Sequence, residues 1–249
     1  MEILGIDVGG SGIKGAPINT ETGMVLVDRH RIKTPEGAEP QPMAEVIAQI
    51  ARHFSWQGPI GVGFPGPIKQ GVVKMAANIS PAWVGLNAGE LLGQFTGCPV
   101  TVLNDGDAAG LAEVTFGAGK GIKGVVIMVT LGTGIGTAIF CDGKLLPNTE
   151  FGHVKIDRHE AEARASDAAR QREKLSWKKY AKRLNRYFKE MENLFWPDLF
   201  IVGGGISKYH DKYLPLLLLE TPVVPAQMFN EAGMIGAALA ARLEETKPV

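Results

Sequence analysis

Asp7-Val8-Gly9-Gly10-Ser11-Gly12-Ile13-Lys14-Gly15 has a separated counterpart in Thr130-Leu131-Gly132-Thr133-Gly134-Ile135-Gly136-Thr137, and the pair decides the fold. Each stretch follows an apolar run, Ile3 to Ile6 or Val125 to Val129, and precedes another, so each reads as strand, tight turn, strand. A dinucleotide fingerprint would instead read strand, turn, helix. Glycine at the tips lets the backbone take positive φ and lets a bulky anion reach the N–H groups with no Cβ in the way. One such hairpin reads equally well as a structural turn, but two predict a pair of phosphate-holding loops. The first contains Gly9, Gly10, Ser11, Gly12 and Lys14, and the second Gly132, Thr133 and Gly134. Asp7 ends the first strand, where a bare carboxylate would repel an anion unless a cation sat between them. Mg²⁺ suits that place, because it binds through one or two carboxylates plus substrate phosphates. A turn-capping role is the other reading of Asp7.

With 249 residues, 45% of them hydrophobic and 21% charged, the chain can bury a large core as a globular protein. Lys plus Arg and Asp plus Glu number 26 each, so no global charge points to a nucleic acid or membrane partner. Cys98 and Cys141 form no pairing pattern, which predicts a reducing, cytoplasmic setting and two small buried side chains. No leader pattern opens the sequence, and the longest apolar stretch near its end, Leu214 to Leu219, is far too short to span a bilayer.

The first 32 residues read as a three-stranded meander, Ile3 to Asp7, Gly12 to Ile18 and Val25 to Ile32. A helix from Met43 to Phe54, a strand from Ile60 to Phe64, a helix from Ala88 to Phe95 and a buried strand from Val100 to Leu103 follow. From Gly124 the pattern repeats, and the chain closes with a strand, Leu199 to Val202, and a helix, Ala232 to Glu244. This echo predicts an internally duplicated α/β fold of two lobes. Asp105 stands where a strand ends and a helix begins, so it can fix a substrate hydroxyl at a rigid angle or simply cap the helix.

The turn from Asp7 to Gly15, Gly63-Phe64-Pro65-Gly66-Pro67, Asn78, Asn104-Asp105-Gly106-Asp107-Ala108-Ala109, Leu131 to Thr137, Glu150-Phe151-Gly152-His153 and Gly203 to Ser207 occur in that order. Together they resemble the ROK family (repressors, open reading frames and kinases), and the resemblance covers nearly the whole chain. It implies a two-lobed actin-like, ribonuclease-H-like ATPase fold with the active site in the interlobe cleft. The smaller N-terminal lobe would take residues 1–104 plus 231–249, and the larger C-terminal lobe 105–230. Within the family, the short length and the segment after His153 are most similar to the glucokinases that use polyphosphate.

The resemblance implies that Asp105 is the general base and that Gly66, Asn78, Asn104, Asp105, Glu150 and His153 bind glucose. An amide's paired donor and acceptor suit a polyol. Gly204, in the Gly203-Gly204-Gly205 turn, matches the family's adenosine-side turn. In many relatives the histidine also ligates a structural zinc with three downstream cysteines, but residues 154–200 contain no Cys, so no zinc is expected. His153 then reads as a sugar-side group or a packed histidine. Arg164, Arg170, Arg172, Lys174, Lys178, Lys179, Lys182, Arg183, Arg186 and Lys189 occupy that segment, interleaved with a helical stripe of Trp177, Tyr180, Leu184 and Phe188. They read either as a solvated face or as an anion track for polyphosphate, with no acidic residue between Glu173 and Glu190, which leaves a purely positive stretch.

The expected activity is phosphoryl transfer from polyphosphate, and also from ATP, to the 6-hydroxyl of glucose with Mg²⁺. A strictly ATP-dependent hexokinase acting on glucose, mannose, fructose or an N-acyl amino sugar is the alternative. A non-catalytic sugar-sensing regulator is less well supported, because the first phosphate strand starts at Glu2 and leaves no room before it for a helix-turn-helix. Family members are commonly homodimers, and Trp196, Pro197 and Leu199 are the expected apolar patch.

Overall fold

The computed structural model describes residues 1–77 and 79–245, so Asn78 lies outside the described residues. The chain divides into two compact units, Met1–Ala112 with the stretch from Asn230 onward, and Glu113–Phe229.

In the first unit, β1 (Glu2–Gly9) and β2 (Gly12–Asn19) form the first hairpin, paired from Glu2↔Asn19 to Gly9↔Gly12 around a two-residue turn, Gly10-Ser11. The expected third strand is split. β3 (Met24–Val25) and β4 (His30–Ile32) both pair with β2, and the exposed residues Leu26 to Arg29 separate them. α1 (Pro40–His53) starts three residues before the expected Met43, with proline in its first turn, where the missing N–H is no loss. Then come β5 (Ile60–Phe64), the short pair β6 (Ile68–Lys69) and β7 (Val72–Val73), α2 (Ala88–Thr96), β8 (Val100–Asn104) and α3 (Asp105–Thr115). The sheet order is β3-β2-β1-β5-β8, with β1, β5 and β8 parallel. Alternation in β1 sends Leu4, Ile6 and Val8 into a core with Met43, Ile47, Ile50, Phe64 and Trp83, and leaves Gly5 and Asp7 on the other face.

The second unit repeats the plan. β9 (Val125–Leu131) and β10 (Ile135–Cys141) make the second hairpin, closed at Leu131↔Ile135 by a three-residue loop. β11 (Lys144–Leu146), the small hairpin β12 (Lys155–Ile156) and β13 (His159–Glu160), α4 (Ala161–Ala165), α5 (Asp167–Arg172), α6 (Trp177–Phe195), β14 (Leu199–Gly203) and β15 (Val223–Pro225) follow. Its sheet order is β11-β10-β9-β14-β15. Ser176 caps α6 by accepting the Lys179 N–H. Tyr180, Leu184, Phe188 and Met191 recur at helical spacing and pack on Ile127, Val129, Phe200 and Val202. Burying each such side chain contributes roughly 1.5–3 kcal/mol, which outweighs the low intrinsic apolarity of this lysine- and arginine-rich helix.

α7 (Ala232–Glu245) belongs to the first unit and lies on the Gly5 face of its sheet. A Cβ on Gly5 would come within 2.1 Å of the Met234 carbonyl oxygen, and one on Gly61 within 1.9 Å of that of Ala237. Gly236 in turn presses on the Ala108 carbonyl of α3, so the first half of α3 packs with this unit. The division therefore falls inside α3 rather than at its start, and the first unit is the larger.

Two further expectations change. Cys98 is buried, but Cys141 at the end of β10 is exposed. Of the expected apolar patch only Trp196 is exposed; it ends α6 with a left-handed backbone, while Pro197 and Leu199 enter the core. Among the described residues, no helix is long and apolar enough to cross a membrane.

Candidate active site

β-Sheet register assembles the first turn. Asp7 faces Lys14, and Lys14 faces Arg31, so the three share one side of the sheet. Lys14 Nζ lies 3.0 Å from Asp7 Oδ2 and donates to the Asn230 carbonyl at 2.8 Å. Arg31 donates to the Ser11 carbonyl at 2.9 Å and to Ser11 Oγ at 3.2 Å, and its guanidinium covers Gly12 so closely that a Cβ there would lie 2.5 Å away. Thr34 Oγ1 donates to the Gly9 carbonyl at 2.6 Å, and a cavity of about 690 Å³ opens beside Gly9 and Gly10, lined also by Lys33, Thr34, Glu36 and Ser80. Arg31 and the 33–36 segment were not singled out from the sequence. The signal that finds them is the pairing of β4 with β2, which becomes visible only once the meander is folded.

None of Gly9, Gly10, Gly12, Gly132 or Gly134 adopts a left-handed backbone. Positive φ is therefore not what these positions need. At Gly10 and Gly132 a Cβ would meet nothing within 4 Å, so glycine there keeps the approach to the N–H groups open.

At the β8–α3 junction, Asn104 and not Asp105 is the helix cap. Asn104 Oδ1 accepts the N–H groups of Gly106 at 2.8 Å and Asp107 at 3.1 Å. Asp105 Oδ1 accepts the adjacent Gly106 N–H at 2.8 Å. Gly63, level with Asp7 across β1 and β5, makes room for α3: a Cβ there would sit 3.7 Å from Asp105 Cα. Gly233 of α7 does the same for Asp7, whose carboxyl carbon is 2.7 Å from where a Cβ would be. Gly66 packs its loop close to the Met75 carbonyl, whose oxygen would lie 2.7 Å from a Cβ at that position.

In the second unit, Gly132 N–H donates to the Gly134 carbonyl, and Ala168 N–H of α5 donates to that of Gly132, each at 3.1 Å. Ile135 N–H donates to Glu162 Oε2 at 3.3 Å, and that oxygen lies 2.4 Å from where a Cβ on Gly134 would sit. Thr133 is exposed at the tip. Gly204, with φ of 82°, packs against the backbone of Leu131 at the root of this turn, where a Cβ would come 2.4 Å from the carbonyl oxygen.

His153 Nδ1 lies 3.5 Å from Glu160 Oε2 and 3.9 Å from Glu162 Oε1. Burial pushes the Glu150 carboxyl above the usual carboxylate range; the His153 charge opposes this and Glu162 reinforces it. Glu160 and Glu162 were not anticipated from the sequence. The β12–β13 hairpin, closed at Ile156↔His159, folds them back onto His153. Donor atoms of His153, Glu160 and Glu162 lie within 4.8 Å of one another, a spacing a divalent cation could bridge. Asp7 offers a single carboxylate beside the first turn, with Lys14 already on one oxygen; that fits Mg²⁺ held mainly by phosphates.

The basic segment is not purely positive. Glu173 pairs with Arg172 and Arg183, Asp167 with Arg170, Asp157 with Arg186 and Glu192 with Lys189. Asp157 lies outside the segment and reaches it through the fold, whereas Glu192 sits one helical turn beyond Lys189 on α6.

Two units, each a meander with an anion-accessible glycine loop at its first turn, make up the actin-like, ribonuclease-H-like ATPase fold of sugar kinases. The sequence profile of the ROK family matches residues 3–166, and the chain belongs to that family. It is 48% identical over 244 residues to a polyphosphate glucokinase of Mycobacterium tuberculosis, covering 98% of this chain and 92% of that one. It is 50% identical to the inorganic polyphosphate/ATP-glucomannokinase of Arthrobacter sp. strain KM, whose crystal structure superposes with a TM-score of 0.93 over 98% of this chain and 99% of that one. A ROK family glucokinase of Streptomyces griseus, solved with glucose and AMPPNP, shares the fold at a TM-score of 0.84 and 24% identity, covering 98% of this chain and all of that one.

Proposed function

We propose that this chain transfers the terminal phosphoryl group of inorganic polyphosphate, and also that of ATP, to the 6-hydroxyl of glucose. The observation that carries this reading is the β8–α3 junction, where Asn104 Oδ1 accepts the Gly106 and Asp107 N–H groups as the helix cap and Asp105 opens the helix beside it, a rigid mount for a carboxylate that takes up a substrate proton. Near-identical length and 48% identity to a polyphosphate glucokinase support the choice of donor and acceptor.

In this mechanism Asp105 accepts the proton of the 6-hydroxyl as that oxygen attacks the terminal phosphorus. The new O–P bond forms as the phosphoanhydride bond breaks, and the electron pair leaves with the polyphosphate, shortened by one unit. The Asn104 amide, the Gly66 loop and Asn78 are assigned to sugar hydroxyls, as are Glu150, His153 and, from its position beside them, Glu162. Gly9, Gly10, Ser11, Gly12 and Lys14, and separately Thr133 and Gly134, hold donor phosphates through N–H groups and side-chain donors, while Gly132, whose own N–H is bonded to the Gly134 carbonyl, keeps the approach clear. Gly204, packed on the backbone of Leu131, is assigned to the adenosine side when ATP is the donor. Asp7 and the phosphates would hold Mg²⁺, which when bound neutralises charge on the transferred group.

We further assign a homodimer, with Trp196 and Leu194 as exposed apolar contacts, and a cytoplasmic location, which two free cysteines suit. The test of the activity is glucose 6-phosphate formation by purified protein with Mg²⁺, comparing polyphosphate and ATP at equal phosphoanhydride concentration. Preference for polyphosphate is expected; turnover with ATP alone would leave the hexokinase reading, and no turnover of any sugar would sink both.

A further inference from the structure

A groove of about 960 Å³ runs along the solvent side of α6, lined by Arg164, Lys179, Lys182, Arg183, Arg186 and Lys189, with Asp157 and Glu190 as its acids. We propose that this groove binds the unreacted tail of a long polyphosphate chain, an inference that rests on the donor assigned above.

The helix dictates the shape of the groove. Residues 179, 182, 183, 186, 189 and 193 fall at i, i+3, i+4, i+7, i+10 and i+14, a single stripe roughly 20 Å long at 1.5 Å per residue. The opposite stripe of Tyr180, Leu184 and Phe188 is locked in the core, so the cationic stripe cannot rotate away. Six cations face two carboxylates along the groove. Glu173 and Asp157 hold Arg183 and Arg186, and Arg183 also donates to the Arg164 carbonyl at 3.0 Å, which fixes these guanidiniums as rigid donors. Lys179 and Lys182 are exposed and make no ion pair among the described residues. Asn185 fixes the far wall, donating to the Leu216 carbonyl at 3.0 Å and accepting the Leu218 N–H at 2.6 Å.

The ligand this selects is a long, flexible polyanion with closely spaced charge and no bases. Nucleic acid would need stacking faces. Trp177, the half-buried aromatic within the basic segment, is already covered: Arg170 lies 4.5 Å over its ring, and Tyr213 stacks on it at 5.9 Å. The groove therefore offers charge without a base platform.

The test uses the full chain and two variants, Lys179→Ala/Lys182→Ala and Lys182→Glu, with circular dichroism melts to verify folding. Kinetics are measured with long-chain polyphosphate and with tripolyphosphate, which is too short to fill the groove, at low and moderate salt. The expected result is that kcat/KM for the long chain, relative to tripolyphosphate, falls about tenfold in both variants through KM. The salt dependence of the long-chain reaction should flatten as well. An unchanged ratio in both folded variants overturns the groove assignment while leaving the donor reading intact. So does a single-stranded RNA of matched charge that competes as strongly as long polyphosphate. A wild-type chain that turns over ATP but neither polyphosphate overturns the donor reading and the groove with it.

Discussion

In the first glycine turn the N–H groups sit at the end of a row of charged side chains, Arg31, Lys14 and Asp7, whereas the second turn is held by a carboxylate, Glu162, and by a backbone bond from Ala168 of α5. The hairpin scaffold is the same, antiparallel strands closed by a short glycine loop, so the difference lies in what surrounds it. A turn backed by two cations and one carboxylate can balance charge on a phosphate and a metal together. A turn with a carboxylate behind it can attract anions only through its own N–H groups, so its geometry matters more.

The largest effect that bears on this comparison lies outside both turns. Asp105→Asn should lower kcat by 10² to 10⁴-fold while changing the glucose dissociation constant little, because a general base acts on the transition state and Asn104 keeps the helix capped. Near-normal turnover in that variant would remove Asp105 from the chemistry and leave the turns to explain catalysis alone.

Next come paired glycine substitutions. Gly10→Ala and Gly132→Ala introduce a Cβ that meets no protein atom within 4 Å, so both variants should keep the wild-type melting temperature. Any loss then reports on ligand approach. The second turn, backed by the Glu162 carboxylate, should suffer more: we expect up to about 100-fold in kcat/KM for Gly132→Ala and less for Gly10→Ala. Equal losses would mean that the charged row contributes nothing the backbone does not.

Arg31→Ala tests that row directly. Removing a guanidinium that donates to Ser11 should raise the KM for the phosphoryl donor about tenfold, in line with roughly 1.5 kcal/mol for a hydrogen bond to a charged group. The salt dependence of that KM should weaken as well. A variant that loses stability but keeps its KM would reduce Arg31 to a brace for the turn.

What could be read from the sequence follows the range of each interaction. The hairpins were legible because glycine between apolar runs is a local signal, and the buried stripe of α6 was legible because its period lies within one helix. Asn104 and Asp105 are adjacent and equally good caps, so only the hydrogen bonds could assign the role. Arg31, Glu162 and Asp157 were beyond reach, since each acts through strand register or a small hairpin that joins distant positions. Glu113 belongs with them: fully buried, it accepts the N–H groups of Ala118 at 2.9 Å, Gln227 at 2.8 Å and Met228 at 2.6 Å, bonds to positions up to 115 residues away. The glycine φ angles were misread for a different reason, because a turn sequence reveals that space is needed but not whether it serves the backbone or a ligand.

The smallest effect concerns Glu150, whose ionisation is opposed by Glu162, the carboxylate behind the second turn. Burial raises its folded pKa above the ordinary 4.5, with His153 opposing and Glu162 adding to the rise. The fold therefore favours the protonated acid: this group's contribution to stability is fully present below its unfolded pKa and is lost as pH rises through the folded value. Glu150→Gln, which mimics the protonated form, should be no less stable than wild type at neutral pH, and up to about 2 °C higher in Tm. The difference should vanish toward pH 4. If the variant instead melts lower at neutral pH and the gap persists in acid, the ionised carboxylate is making bonds that hold the Glu150–Glu162 region together. The second turn's negative backing would then be a structural asset rather than a strain relieved when a ligand arrives.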